Sequence, residues 1–454
     1  MPDNVLVADA GAGGTRSVRL ALPRLLAYAA PAVPLAMLGL PLNVYLPAFW
    51  SGGMGLALGT VGAVMTAVRL LDIVVDPTIG RISDRLRWRF GRRKTPIAAG
   101  LPAGLAGGAM LFFPPPDAGA VWLFAAYALL TFAWSMIALP WQAWGAELSP
   151  SYTERTRITS WREGGTLLGV LVSAVLPTAL GVSAAGPALH AVAFVAIALA
   201  APAVVLLLGL VAEPSPGPPT TVPLFASLRA AAANAPFRRL LVAWLLNGIA
   251  NGMPATLFLF MCTYVLGAAW AVGPVLVVYF GMAVLCVPLW AWLARRIGKH
   301  RAWASAMLLM CIVFAPVMLL GKGDIGWFLA ISAICGGTIG ADFALPPAIQ
   351  ADVVDVDEAE SGEKRAGLFF AAWTMAQKSG NALAAGLALG GLQWAGFRAA
   401  PGNGPWQLLA LSALYCLAPL AMKLVAIALV WGFPIDARAQ AALRARIAAR
   451  EAAA

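Results

Sequence analysis

Apolar residues arrive in this chain as long runs, each about the length of a bilayer crossing. Twelve runs are recognisable, at approximately 22–49, 55–78, 96–115, 120–146, 160–181, 189–211, 239–266, 272–294, 302–321, 325–350, 367–394 and 406–432. Runs of about 20 apolar residues span a bilayer as helices. In hydrocarbon a backbone must satisfy its own N–H and C=O groups, which leaves helices as the only open-ended solution. Several runs exceed the minimum, so tilted or kinked helices are expected. Of the 454 residues, 61% are hydrophobic and only 11% charged, more apolar side chain than a soluble interior of this length can hide. The expected class is an all-α polytopic membrane protein.

The net charge of +11 does not point to nucleic acid, because the basic residues alternate from loop to loop. Arg81, Arg85, Arg87, Arg89, Arg92, Arg93 and Lys94 lie between runs 2 and 3, and Arg155 and Arg157 between 4 and 5. Arg229, Arg238 and Arg239 lie between 6 and 7, Arg295, Arg296, Lys299 and Arg301 between 8 and 9, and Lys364 and Arg365 between 10 and 11. The opposite loops hold Lys322 and Arg398. By the positive-inside rule the basic loops and both termini are expected in the cytoplasm. Cys262, Cys286, Cys311, Cys335 and Cys416 all fall inside runs with no metal-ligand spacing, and read as small apolar fillers. No Walker loop, His-Glu-x-x-His or Cys-x-x-Cys occurs, so an enzyme or a nucleotide-driven pump is not expected, nor any cofactor beyond a coupling ion.

Glu213-Pro-Ser-Pro-Gly-Pro-Pro219 cannot continue a helix and divides the runs six and six. The halves echo one another. Leu139-Pro140 precedes Glu147, and Leu345-Pro346 precedes Asp352; charged loops Glu154–Arg157 and Gly362–Arg365 follow, with Trp161 and Phe369 four residues beyond. Two pseudo-symmetric six-helix bundles are expected at 20–211 and 238–432. A cytoplasmic linker at 212–237 joins them, with cytoplasmic tails at 1–19 and 433–454. Inverted or parallel repeats of this kind place substrate at the repeat interface. Gly55/Gly59, Gly104/Gly108 and Gly386/Gly390 have helix-packing spacing.

Chemistry concentrates in a few intramembrane polar residues. Asp72 and Asp76 share one helix face, and Arg69 shares it too. Each such charge costs roughly 2.5 to 3.5 kcal/mol at the bilayer centre on insertion scales. A structural pair with Arg69 neutralises one carboxylate only, so a transported cation is the expected occupant of the other. Two close carboxylates raise the proton affinity of one of them, so the site suits H⁺, or Na⁺ on hard oxygen ligands. Lys378, flanked by Gln377 and Asn381, lies about 13 residues from the charged loop, or roughly 20 Å of helix, too far to snorkel. Asp72 or Asp76 is its expected partner. Arg162 is a candidate substrate guanidinium, with pairing to Glu163 or Glu147 as the alternative. Trp141, Gln142, Trp373 and Asp342 are further candidates for substrate contact, while Lys423 reads as a snorkelling or inter-helix pairing residue. Glu147, Asp352 and Asp355 opposite Arg157, Arg295, Arg296 and Arg365 read as a cytoplasmic ionic lock.

These residues carry a family likeness. Asp72-x3-Asp76-Pro77-x2-Gly80-x3-Asp84, followed by Arg89-Phe-Gly91-Arg-Arg-Lys94-x-Pro96, resembles the helix 2 and loop signature of the glycoside–pentoside–hexuronide:cation symporters, the melibiose permease group of the major facilitator superfamily. Pro140, Glu147, Glu154-Arg-Thr-Arg157 and Trp161-Arg162 resemble its helix 4–5 segment. Ala351-Asp352-Val-Val-Asp355, Gly362-Glu-Lys-Arg365, Gly367-Leu-Phe-Phe370 and Gln377-Lys378-x-Gly380 resemble its helix 10–11 segment. The resemblance implies a major facilitator fold of twelve helices in the bacterial inner membrane. It also implies a Na⁺, Li⁺ or H⁺ site at Asp72 and Asp76 with Lys378 nearby, and a substrate contact at Arg162. Helix 1 from Leu25 to Trp50 carries none of the family's acid, Ala138 stands where its helix 4 acid would be, and Val75 replaces an often polar residue. Coupling is therefore expected to be kept and melibiose recognition lost, with H⁺ favoured over Na⁺. The expected function is cation-coupled symport of a sugar or glycoside by a monomer. Transport of a lipid-like or other amphipathic solute is the alternative, and a non-transporting receptor is disfavoured.

Overall fold

The computed structural model describes residues 19–85, 90–149, 152–182, 184–213, 234–361 and 366–434, and every regular element among them is helical. The segments are α1 Leu22–Gly53, α2 Leu58–Arg85, α3 Lys94–Phe112, α4 Ala120–Glu147, α5 Tyr152–Ala179 and α6 Ala185–Leu210. They continue as α7 Ala235–Val265, α8 Ala269–Ile297 and α9 Lys299–Leu319, α10 Ile325–Ser361, α11 Ala366–Trp394 and α12 Pro405–Trp431. Ten of these are long and apolar enough to cross a bilayer. The other two, α5 and α11, have 28 and 29 residues. Their apolar character is diluted by Arg162 and Glu163 in one and by Gln377, Lys378, Asn381 and Gln393 in the other.

Helix α10 departs from expectation. Its apolar run ends near residue 350, but the helix continues to Ser361 and carries Asp352 on its own face. No glycine or proline occurs between Pro347 and Gly362, and Ala, Val and Glu sustain the helix where a charged loop was expected. Helix α1 departs in the other direction. Pro31, Pro41 and Pro47 interrupt it, and two widened π-turns occupy Pro41–Tyr45 and Phe49–Gly53. Side chains take over the disturbed carbonyls: Asn43 Nδ2 donates to Gly39 O at 2.8 Å and Ser51 Oγ to Pro47 O at 2.6 Å.

The contacts divide the chain into two compact units. The first holds residues up to Leu56 and Ala67–Thr220; the second holds Ala57–Thr66 and everything from Thr221. Within the first, α1 packs on α5 and α6, and α3 on α4 and α6. Within the second, α7 packs on α11 and α12, and α9 on α10 and α12. The pairing pattern is the same six helices later. The first unit's core gathers Leu25, Tyr28, Ile97, Ile137, Trp144 and Leu207. The second gathers Phe237, Leu240, Trp303, Met307, Ile349 and Phe369.

A close helix approach in the second unit is made by a pair of glycines that the sequence pattern does not single out. A Cβ on Gly336 or Gly340 of α10 would run into the carbonyl oxygens of Tyr279 or Ala283 on α8. Their Gly-x-x-x-Gly spacing lets two backbones meet. At Gly390, by contrast, a Cβ meets nothing within 4 Å. Gly340→Ala is therefore expected to cost about 1–3 kcal/mol as overpacking, read as a lowered melting temperature of the purified protein. Gly390→Ala should leave the melting temperature unchanged or slightly raised; equal losses at both positions would contradict this packing account.

Candidate functional site

Two polar clusters lie inside the helical units, one in each. In the first unit, α2 presents Asp72 and Asp76 one turn apart toward α4. Ser135 of α4, 3% exposed, places its hydroxyl 3.0 Å from Asp72 Oδ1 and 2.6 Å from Asp76 Oδ1. A serine hydroxyl has one hydrogen. It can donate to one carboxylate at a time. Three oxygens from two helices thus converge, a donor set that suits a hard cation or a shared proton. Arg69, on the same face of α2, donates from Nε to the Tyr127 hydroxyl at 3.1 Å and from Nη2 to Asn43 Oδ1 at 2.7 Å. The π-turn of α1 and the middle of α4 therefore each bond the guanidinium. Ser135, Tyr127 and Asn43 were not visible as site residues in the sequence. A lone hydroxyl or amide in an apolar helix has no periodic signature.

In the second unit, Asp342 of α10 is 8% exposed and accepts three hydrogen bonds. Asn247 and Asn251 of α7 donate to Oδ2 at 3.0 and 2.8 Å, and Trp303 of α9 donates to Oδ1 at 2.6 Å. Lys423 of α12, 2% exposed, donates to Asn247 Oδ1 at 2.7 Å and stands 3.9 Å from Asp342 Oδ2. Lys423 does not snorkel; it is a pairing residue inside the bundle. Asp342 is engaged in this closed network, which is a different placement from a substrate contact.

The other candidate substrate residues separate. Trp141 is 4% exposed, packs against Tyr28 and donates to its carbonyl at 2.8 Å. Trp373 is buried and stacked on Trp244 with centroids 4.5 Å apart, so one ring face is already covered. Gln142 is exposed. Arg162 of α5 folds onto its neighbour, Nη2 at 2.7 Å and Nε at 3.2 Å from Glu163 Oε1. A cavity of about 410 Å³ opens between α1 and α5, lined by Leu26, Ala29, Ala30, Val33, Ser160, Trp161, Gly164, Gly165 and Leu168, and Arg162 is not among the lining residues. Lys378 lies just over three turns into α11 and is half-buried.

The residues read as an ionic lock have partners inside their own units. Glu147 at the end of α4 binds Arg93 at 2.6 Å and Arg92 at 3.0 Å. Asp352 of α10 binds Lys299 at the start of α9 at 2.7 Å. The positions correspond: in each unit an acid late in the fourth helix meets a base where the third helix begins. Arg157 pairs with Glu154 at 3.0 Å. Arg295 and Arg296 are exposed, and Arg296 lies over the Trp292 ring. The Asp355 side chain and Arg365 fall outside the described residues. Gly91 adopts a positive φ of 101° beside this cluster, where a Cβ would collide with the Glu213 carboxylate. That carboxylate accepts the Arg93 and Lys94 backbone N–H groups at the start of α3, at 2.8 and 3.3 Å.

A family model described as MFS/sugar transport protein matches residues 27–437. The symporter sll1374 of Synechocystis is 25% identical, covering 90% of this chain and 93% of its own length. The inner membrane symporter YicJ of Escherichia coli is 26% identical over 79% of each chain. The human sodium-dependent lysophosphatidylcholine symporter 1 is 23% identical, covering 81% of this chain and 75% of its own. Among solved structures, nucleoside transporter NupG superposes with a TM-score of 0.67 at 14% identity, covering 89% of this chain and 99% of that one, which gives the major facilitator fold.

Replacing the shared hydroxyl tests the first cluster without adding charge. A hydrogen bond to a charged group is worth about 1.5–3 kcal/mol. Ser135→Ala is expected to weaken cation-dependent thermal stabilisation of the purified protein about tenfold or more in midpoint concentration, and Ser135→Thr to restore most of it. Identical midpoints in all three proteins would remove Ser135 from the site.

Proposed function

Because the chain belongs to the MFS/sugar transport protein family, as a multi-pass membrane transporter and not an enzyme, we propose that it couples solute movement to a monovalent cation bound at Asp72 and Asp76. The observation that carries this reading is the convergence of both carboxylates on the single Ser135 hydroxyl. Secondary transport follows from the family. The coupling ion is H⁺, because Val75 leaves the turn between the acids without an extra oxygen ligand. The solute is a sugar or glycoside taken up across a bacterial inner membrane, with both chain ends in the cytoplasm. Arg162 and Trp161 are its contacts in the first unit. Lys378 is a further coupling residue, an ammonium whose charge competes with that of the cation.

One observation favours a second reading of the solute. The cavity between α1 and α5 is almost wholly apolar, and no helix 1 acid is present to bind hydroxyl groups. An amphipathic solute would put its chain along α1 and α5 and an anionic head on the guanidinium. Uptake of methyl β-glucoside and of lysophosphatidylcholine into proteoliposomes, each under an imposed proton or sodium gradient, separates the two readings.

Asp72→Asn and Asp76→Asn are each expected to abolish gradient-driven accumulation while leaving part of solute binding, since they remove the ion and not the solute contacts. Lys378→Ala should change the pH profile of uptake. Full concentrative uptake in both aspartate variants would show the pair to be structural.

A further inference from the structure

The network around Asp342 is closed on one side and open on the other. Asn247 and Asn251 stand about one turn apart on α7, about 6 Å along the helix axis. Both carboxamides donate to the same oxygen, Asp342 Oδ2. Their own oxygens are treated unequally. Asn247 Oδ1 accepts from the Lys423 ammonium, whereas Asn251 Oδ1 is buried and has no donor among the described residues. A buried acceptor without a donor loses its hydration and gains nothing in return. The ammonium, with three donors, meets Asn247 Oδ1 at 2.7 Å and Asp342 Oδ2 at 3.9 Å.

We propose that Asn247 and Asn251 are two alternative seats for the Lys423 ammonium, and that Lys423 moves from one to the other as α12 shifts against α7 during transport. Asp342 is the pivot. Its carboxylate holds both carboxamides, so each seat presents its oxygen beside the same negative charge. The ammonium never loses its counter-ion on the way, which matters where an isolated charge is expensive. Two discrete seats also make the packed interface bistable rather than continuously deformable. A purely structural tie between these helices would be served as well by apolar packing, and would have no use for a second acceptor. Among the described residues, ionisable side chains with electrostatic influence on this pair include Tyr279 of α8, Cys311 of α9 and Cys335 of α10. None is a carboxylate that competes for the ammonium.

The inference rests on the transport reading, and its test separates the two. Asn247→Ala removes the occupied seat and is expected to lower the melting temperature of the purified protein. Asn251→Ala removes the vacant seat. It also removes a donor from Asp342, so a lowered melting temperature is expected here too, and it should slow uptake about tenfold of whichever probe the wild type takes up, methyl β-glucoside or lysophosphatidylcholine. Asn251→Asp, which strengthens the vacant seat, should shift the resting conformation. A structure of that variant should then have Lys423 on residue 251. Wild-type uptake by Asn251→Ala, or Lys423 still on Asn247 in a structure of Asn251→Asp, overturns the two-seat device while leaving transport intact. Failure of the wild type to move either probe under any gradient overturns the transport reading, and this one with it.

Discussion

A charge surrounded by apolar side chains must have company, and the polar architecture of this protein follows from that requirement. Asp342 collects three hydrogen-bond donors and stands 3.9 Å from an ammonium. Arg69 is held by an amide and a phenol drawn from two other helices. Arg162 turns back on Glu163. Each arrangement uses groups from neighbouring helices, or from the next residue, to supply what water would have supplied. The same demand acts on the backbone of α1, where Asn43 and Ser51 bond carbonyls in the proline-broken stretch. Asn43 then serves twice, bonding Gly39 and accepting from Arg69. A kink and a counter-ion shell are thus made by one side chain.

Below the membrane-spanning cores, each unit closes on its own clamp. Glu147 with Arg92 and Arg93 ties α4 to the entry of α3, and Lys299 with Asp352 ties α10 to α9. Exposed pairs of this kind contribute little to stability. The Arg93 side chain is only 6% exposed, and its Nη1 also donates to Ser83 at 3.1 Å, so this clamp is stronger than a solvated pair. Repetition of the clamp and of the helix pairing gives each unit internal cohesion, the property that rigid-body movement of one repeat against another requires.

Much of this was legible in the sequence, for identifiable reasons. The apolar runs gave the helices because the bilayer leaves few alternatives. The Asp72–Asp76 spacing gave the carboxylate pair because four residues are about one turn. The Leu-Pro-to-acid echo anticipated that Glu147 and Asp352 occupy matching positions. What stayed hidden depends on three-dimensional neighbours. Ser135 and Tyr127 are ordinary residues until α4 is laid beside α2. Trp141 and Trp373 have the composition of a stacking site, yet Tyr28 and Trp244 cover them. Gly336 and Gly340 share their spacing with several other glycine pairs, and only the approach of α8 sets them apart. Lys423 resembles any lysine within a turn or two of a helix end until its burial is known.

The sharing of one hydroxyl by two carboxylates bears on what the first cluster is suited to hold. Asp72 and Asp76 sit one turn apart on α2, and Ser135 Oγ of α4 reaches both. Its single hydrogen serves one carboxylate at a time. A proton shared among these oxygens needs no further ligands. Sodium would draw on additional lone pairs, and Val75 offers none from its side chain. That difference is the reason the coupling ion is proposed to be H⁺ rather than Na⁺.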